Sequence, residues 1–216
     1  MTRALADRLA AFRREHFPRF ERQYRRLVQE GQHPSILFIG CSDSRLMPQM
    51  LLDTRPGEVF MVRNVGAFVP PYEEAGGRYH GTSAAIEFAV LVLGVRDIVI
   101  CGHSHCGAIE ALYREPPAEA RHLTQWLQLA REAQLPLPAA ETDLRRVEQR
   151  AIVLQLEHLT SFPMVRSRLE RGELFLHGWH YLMETGEVLE FDFAAGAFAP
   201  VRAAPAASAA SAPPAT

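Results

Sequence analysis

The sequence predicts an α/β fold: a mainly parallel β-sheet core flanked by helices and preceded by an amino-terminal helical arm. Short apolar runs of strand length recur along the chain, and longer segments with helical spacing separate them. The first 30 residues carry a helical pattern of their own. The length of 216 residues fits one domain with short appendages and leaves room for a sizeable core.

The predicted arm, residues 1–30, has apolar side chains at helical spacing, and Pro18 should divide it into two helices. Eight arginines fall within its first 26 residues. The intervening acidic residues and the apolar stripe favour a solvated face on a packing helix over an arm that binds nucleic acid. The net charge of −2 also gives no general attraction to nucleic acid.

The predicted catalytic domain, residues 31–193, alternates strands with helices. The first three strands are predicted at Ser35–Gly40, Glu58–Arg63 and Asp97–Cys101, where the apolar runs suit buried parallel strands. Helices are expected at 81–93, with Thr82 or Ser83 as the cap, and at 107–113, 119–133 and 141–160. Two further strands, at 173–182 and 187–193, should form a hairpin.

Residues 194–216 are expected to form a disordered tail. Of these 23 residues, 12 are alanine and 4 are proline, so the segment has no apolar pattern that could build a core. No run of the roughly 18 apolar residues that span a membrane is found, and no secretory signal is recognised. All 23 basic residues are arginine, which excludes the lysine of a P-loop and a lysine Schiff base.

The three cysteines, Cys41, Cys101 and Cys106, are too few and too scattered for a disulfide framework. This usage predicts a reducing compartment, and the cytoplasm is the default. In such a compartment, clustered cysteine and histidine indicate a metal site or catalysis.

Two segments carry the chemistry, Cys41-Ser-Asp-Ser-Arg45 and Gly102-His-Ser-His-Cys-Gly107, and each begins where a predicted strand ends. Because the carboxyl ends of parallel strands border one crevice, both segments should face the same cleft. The two thiolates and one imidazole of Cys41, His103 and Cys106 suit zinc. Three protein ligands leave a fourth position for water, which is the pattern of a catalytic zinc site rather than a structural one.

From about Gln32 to Phe193 the chain resembles the β-class carbonic anhydrases, in particular their plant-like and cyanobacterial branch. The segments that carry the resemblance are GQHPSILFIGCSDSR, PGEVFMVRNV, VPPY, GTSAAIEFAV, CGHSHCGAI and VRSRLERGELFLHGWHYLMETGEV. The resemblance implies one zinc per chain and the reversible hydration of carbon dioxide to bicarbonate and a proton. It also implies a homodimer or a multiple of dimers. The amphipathic helices of the arm have aromatic faces and little core of their own, which makes them candidates to wrap a neighbouring chain.

Residue by residue, the resemblance implies that Cys41, His103 and Cys106 bind zinc, with Asp43 and Arg45 as a catalytic dyad. Asp43 should accept a hydrogen bond from the zinc-bound hydroxide that attacks carbon dioxide, and Arg45 should hold the carboxylate. The resemblance assigns the substrate pocket to Gln32, Phe60, Val65, Phe88 and Gly107. Phe88 departs from the tyrosine common in the plant branch, which removes a polar group without removing activity.

Some family members close at low pH, when the aspartate leaves its arginine and becomes the fourth zinc ligand. A tryptophan, an arginine and a tyrosine then hold a bicarbonate nearby, and the matching positions here are Phe38, Arg63 and Tyr181. Phe38 lacks the indole N–H that would donate to the anion. We therefore expect an open site near neutral pH, with Asp43 paired to Arg45.

Other residues have a simpler interpretation. Cys101 is expected in the core, His105 at the pocket rim although it could compete as a ligand, and His177 and His180 in packing or interface roles. Two other functions remain open from sequence: hydrolysis of a sulfur analogue such as CS2 or COS at the same site, and a non-catalytic scaffold or shell component. The presence of both the ligands and the dyad argues against the scaffold.

Overall fold

The computed structural model describes residues 2–74, 80–136 and 141–201, apart from the side chains of 141–143. Its centre is a single six-stranded sheet with the strand order β2-β1-β3-β4-β5-β6. The strands are β1 (Ile36–Cys41), β2 (Val59–Asn64), β3 (Asp97–His103), β4 (Phe175–Leu182), β5 (Glu187–Asp192) and β6 (Ala197–Pro200).

The four strands β2, β1, β3 and β4 run parallel, as the sequence predicted. The central strands β1 and β3 are buried along nearly their whole length, which explains their continuous apolar runs. In the register of the sheet Cys41 lies opposite Asn64 of β2, and Gly40 lies opposite Cys101 of β3. The carboxyl ends of β1, β2 and β3 therefore meet at one edge.

The last strands, β5 and β6, are antiparallel additions to this sheet. The prediction that disorder begins at Ala194 is wrong for residues 194–201. Asp192 caps a turn through the backbone N–H groups of Ala194 and Ala195, and β6 then pairs with β5. Phe198 packs against Phe191 at a ring-centroid distance of 5.3 Å, so one aromatic side chain anchors the strand. Residues 202–216 lie outside the described residues.

Helices cover both faces of the sheet. Their bounds are α1 (Arg3–Ala11), α2 (Phe17–Glu30), α3 (Pro48–Leu51), α4 (Gly81–Glu87), α5 (Gly107–Glu110), α6 (Arg121–Leu127), α7 (Glu141–Thr160) and α8 (Pro163–Glu170). The short helices α3 and α8 were not predicted, and both have proline in their first turn. Within the described part of the chain, every helix is too short or too polar to span a bilayer.

The longest helix, α7, packs closely on β3 and β4. A Cβ atom on Gly102 or Gly178 would stand 2.8 Å from a side-chain carbon of Ile152 or Leu156, respectively. Both positions therefore need glycine to let the helix approach the sheet. This contact places the buried face of α7 directly beneath the end of β3.

The amino-terminal arm consists of α1 and α2, joined by a wider π-helical turn at Phe12–His16. Pro18 lies in the first turn of α2, where a missing N–H has no cost. The arm is therefore divided into two helices as predicted, and the turn between them is itself helical. None of the arm residues in these helices is buried. The predicted cap of the helix at 81–93 is wrong: α4 begins after His80 without a side-chain cap.

Candidate metal centre

The ends of β1 and β3 bring Cys41, His103 and Cys106 together. Cys41 is the last residue of β1, His103 is the last of β3, and Cys106 immediately precedes α5. All three are buried, and their ligand atoms lie within 4.8 Å of one another. Of the side chains that the structure describes, these form the one group of three or more with metal-ligand geometry. Two cysteines and one histidine are a donor set typical of zinc.

The imidazole of His103 is oriented for a metal ligand. Its Nδ1 lies 2.8 Å from the carbonyl oxygen of Ser104, and because a carbonyl only accepts, Nδ1 donates there. The other ring nitrogen, Nε2, is buried and has no hydrogen-bond partner; it is the one such side-chain atom among the described residues. An unpartnered buried nitrogen facing two cysteines is explained by a metal ion that it would bind.

Cys41 and Cys106 shift each other's pKa in opposite directions. A hydrogen bond from the Cys106 thiol outweighs the effect of burial and lowers the pKa of Cys41 to about 4. The backbone N–H of Asp43, 3.4 Å from the Cys41 sulfur, also favours the thiolate. The same sulfur–sulfur hydrogen bond and burial raise the pKa of Cys106 well above its usual value. One thiolate is thus already present, and metal binding would displace the proton on the other.

Asp43 and Arg45 form a tightly bonded pair beside the cysteines and histidine. The backbone N–H and Nε of Arg45 each donate to Asp43 Oδ1 at 2.9 Å, and an Nη donates to Oδ2 at 2.7 Å. These bonds hold the pKa of Asp43 well below its usual range. Asp43 Oδ2 lies 3.8 Å from Nε2 of His103, so the carboxylate borders the centre while pairing with arginine. The pairing of Asp43 with Arg45 is the one expected from the sequence for an open site.

Arg63 is engaged by the loop that follows β1. Its guanidinium donates to the carbonyl oxygens of Cys41, Asp43 and Leu46, at 3.0, 2.7 and 3.0 Å. In this structure the Arg63 side chain thus holds the loop that follows β1. Sequence reasoning missed this role, although an arginine at the end of a mostly apolar strand is a signal for it.

A single chain brings only part of the predicted substrate pocket to this centre. Val65 directly follows the end of β2, and its carbonyl accepts a 2.7 Å hydrogen bond from the Trp126 indole. Gly107 directly follows Cys106, at the start of α5. Val65 and Gly107 therefore lie beside the candidate ligands, at the carboxyl end of the sheet.

Gln32, Phe60 and Phe88 lie near the other end of the strands. Phe60 of β2 is opposite Leu37 of β1. Leu37 lies four residues, or about 13 Å along the strand, before Cys41. Phe88 packs on Phe60 with ring centroids 5.7 Å apart, and Gln32 precedes β1. Within one chain these three side chains do not line the centre.

The remaining predicted positions are accounted for by packing. Cys101 is fully buried, which raises the pKa of its thiol to about 12. His105 is exposed at the rim, where its carbonyl accepts a hydrogen bond from Arg45. His177 bridges Asp97 and Glu190, and His180 contacts Glu148 in the interior. None of these four belongs to the ligand group.

Comparison with known proteins agrees with this geometry. A sequence model of the carbonic anhydrase family matches residues 36–188. The chain is 36% identical to a carbonic anhydrase of Synechococcus elongatus over 196 residues, which are 87% of this chain and 71% of the relative. It is 38% identical to a carbonic anhydrase of Pseudomonas aeruginosa over 206 residues, covering 91% of this chain and 90% of the relative.

Solved structures show the same likeness. The structure of the β-carbonic anhydrase CcaA superposes with a TM-score of 0.83 at 34% identity, covering 93% of this chain and 92% of that one. A structure from a study of two tetrameric β-carbonic anhydrases of Sordaria macrospora gives a TM-score of 0.71 at 27% identity, covering 87% and 93% of the two chains. The chain belongs to the β-class carbonic anhydrase family.

Proposed function

We propose that this enzyme catalyses the reversible hydration of carbon dioxide to bicarbonate and a proton, as a zinc-dependent lyase. The observation that carries the proposal is the unpartnered, buried Nε2 of His103, which faces two cysteines beside the Asp43–Arg45 pair. Cys41, His103 and Cys106 would hold one zinc ion per chain. Zinc bound by three protein ligands supplies a Lewis acid with a free position, at which a water molecule becomes more acidic.

The surrounding side chains orient the reacting groups. Asp43 carries only acceptor oxygens when ionised, and its low pKa keeps it ionised at neutral pH. A proton donor at the centre therefore turns its hydrogen towards Asp43 and its lone pairs away from it. Arg45 fixes the carboxylate in this orientation through its three hydrogen bonds. His103 is fixed in turn by its bond from Nδ1 to the Ser104 carbonyl.

We also propose that the working unit is a homodimer or a multiple of dimers. The helical arm has no buried residue in its own chain and exposes Leu5, Leu9 and Phe12, an apolar stripe that a second copy would cover. The second copy would also explain the placement of Gln32, Phe60 and Phe88. If they line the centre of the neighbouring chain, the pocket implied by the family resemblance is complete.

The proposed location is the cytoplasm, because the three cysteines are free and two of them serve the proposed metal site only in the reduced state. The net charge of −2 gives no general attraction to nucleic acid, and we propose no nucleic-acid partner. Carbon dioxide and bicarbonate are the expected substrate pair.

Stopped-flow measurement of carbon dioxide hydration, with zinc content by elemental analysis, tests the proposal. We expect about one zinc per chain in the natural protein, and loss of both zinc and activity in Cys41→Ser. Cys101→Ala is the matched control, because Cys101 is buried on the neighbouring strand but lies outside the ligand group. Full zinc content in Cys41→Ser would contradict the ligand assignment, and His105 would be the first alternative to test. Faster turnover of CS2 or COS than of carbon dioxide would reassign the substrate.

A further inference from the structure

A buried polar pair, Glu148 of α7 and His180 of β4, lies beneath the loop that carries His103 and Cys106. Glu148 is 3% exposed and His180 is 0% exposed. Their surroundings are apolar, with Val147 and Ala151 buried on the same helix. Because burial of a carboxylate is costly unless its hydrogen bonds are satisfied, the pair calls for a structural or functional reason.

The two oxygens of Glu148 have different partners. Oε1 accepts a 3.2 Å hydrogen bond from the backbone N–H of Cys106, and Oε2 lies 3.0 Å from Nε2 of His180. The side-chain amide of Gln149 lies 3.4 Å from Nδ1 of His180. With Gln149 as donor to Nδ1, His180 donates from Nε2 to Glu148. The chain of contacts thus runs from Gln149 through His180 and Glu148 to the backbone of Cys106, a proposed zinc ligand.

The peptide group between His105 and Cys106 is held on both sides. Its carbonyl oxygen, on His105, accepts a 2.9 Å hydrogen bond from Arg45, while its N–H, on Cys106, donates to Glu148. The C=O and N–H of a trans peptide point in opposite directions. Arg45 therefore holds this peptide from the solvent side, and Glu148 holds it from the core.

The backbone at this point needs such support. His105 has a φ of 54°, in the left-handed region that L-residues other than glycine seldom adopt. A non-glycine residue persists there only when surrounding contacts determine it. Rotation of the His105–Cys106 peptide, which changes ψ of His105 and φ of Cys106, would move the Cys106 side chain, whose sulfur must face Cys41 and His103.

We propose that Glu148, oriented by His180, is a positioning residue that fixes the His105–Cys106 peptide and so aims the Cys106 thiolate at the metal. The proposal rests on the proposed function of Cys106 as a zinc ligand. It assigns Glu148 no contact with substrate or metal. Its effect is expected on metal affinity and on the geometry of the thiolate bond.

The test measures zinc affinity by competition with a chromophoric chelator, on the full chain. Glu148→Leu removes the acceptor at similar volume, and we expect it to weaken zinc binding by about 10- to 100-fold, the usual effect of losing an outer-shell partner. Glu148→Gln keeps an oxygen for the Cys106 N–H and should stay within about threefold of the natural protein. This rescue would show that the hydrogen bond, rather than the charge, is required.

Gln155→Leu is the matched control. Gln155 is 1% exposed, lies two turns further along α7, and accepts a 2.7 Å hydrogen bond from the backbone N–H of Val69, away from the centre. Its loss should lower the melting temperature yet leave zinc affinity within about threefold. An equal loss of zinc affinity in Gln155→Leu would overturn the proposal, because the effect would then be general destabilisation.

Cobalt substitution supplies a readout of geometry. In Glu148→Leu the thiolate-to-cobalt charge-transfer absorption should weaken or shift, and in Gln155→Leu it should not. If Glu148→Leu does not fold, His180→Phe replaces it, since the ring contact with Phe198 accommodates an aromatic side chain. Zinc affinity and cobalt spectrum unchanged in Glu148→Leu, or in His180→Phe where that variant is needed, would refute the positioning role. Absence of zinc binding in the natural protein would instead refute the proposed function.

Discussion

Asp43→Asn separates the orienting role of the carboxylate from metal binding. Arg45 makes three hydrogen bonds to the two oxygens of Asp43, and an amide offers one oxygen, so at least one bond becomes a donor–donor contact. The amide can also donate towards the centre, where the carboxylate only accepts. Zinc should remain bound, because Cys41, His103 and Cys106 are unchanged.

The expected fall in turnover follows from the free energy of the hydrogen bond that Asp43→Asn removes. A hydrogen bond to a charged group contributes about 1.5–3 kcal/mol, which corresponds to about 10- to 150-fold in the fraction of correctly oriented sites. The Arg45 side chain is 54% exposed, so solvent screening moves the expected value towards the lower end. We therefore expect turnover to fall about tenfold or more.

The assay is stopped-flow carbon dioxide hydration at matched zinc content. Asp192→Asn is the control, since it removes the same charge at a turn far from the centre while keeping the oxygen that accepts from Ala194 and Ala195. Kinetics in Asp43→Asn equal to those of the natural protein would refute the orienting role and leave Asp43 a structural residue.

Three further predictions concern the rest of the chain. His177 lies between Asp97 and Glu190. Burial alone would lower the pKa of His177, but the hydrogen bonds to the two carboxylates raise it above the usual 6.5. The protonated pair therefore stabilises the fold fully below pH 6.5, and this contribution is lost as the pH rises through the raised pKa. The melting temperature should therefore decline over that window more steeply in the natural protein than in His177→Gln, and equal slopes would contradict the assignment. Deletion of residues 202–216 should leave the melting temperature within about 2 °C of that of the natural protein. Deletion from Ala197 onward also removes β6 and Phe198, and it should lower the melting temperature by roughly 3–10 °C. Equal effects of the two deletions would show that β6 contributes no stability. An equal mixture of Gln32→Ala and Asp43→Asn chains, each impaired alone, should recover up to about a quarter of the natural activity if Gln32 serves the partner's centre, because half of the dimers are mixed and each mixed dimer has one intact site; no recovery would place Gln32 outside that site.

Sequence reasoning selected the three side chains that the structure brings together as a candidate metal centre, because the signal for each is local. Cys41 and His103 each end an apolar run, and parallel strands that end together must bring such residues to one edge. Cys106 follows within three residues, so no long-range information was needed. The Asp43–Arg45 pair is equally local, being two residues apart in a single loop.

Residues 194–201 show that composition alone does not predict a strand added at a sheet edge. Composition alone predicted disorder from Ala194, yet β6 forms because an exposed sheet edge offers backbone hydrogen bonds to any extended segment. One side chain, Phe198, then anchors the strand. A pattern of apolar residues is not required when the partner strand already exists.

The sequence by itself indicated a mainly parallel sheet of apolar strands, the three candidate ligands and the candidate dyad, since the evidence for each is a pattern of residues close together in the chain. Only the tertiary structure decided that Gln32, Phe60 and Phe88 lie at the opposite end of the strands, because strand register depends on pairing across the sheet. It alone also brought Glu148, 42 residues after Cys106, under the ligand loop. The close packing of a long helix on two glycines sets that contact, and no local periodicity encodes it.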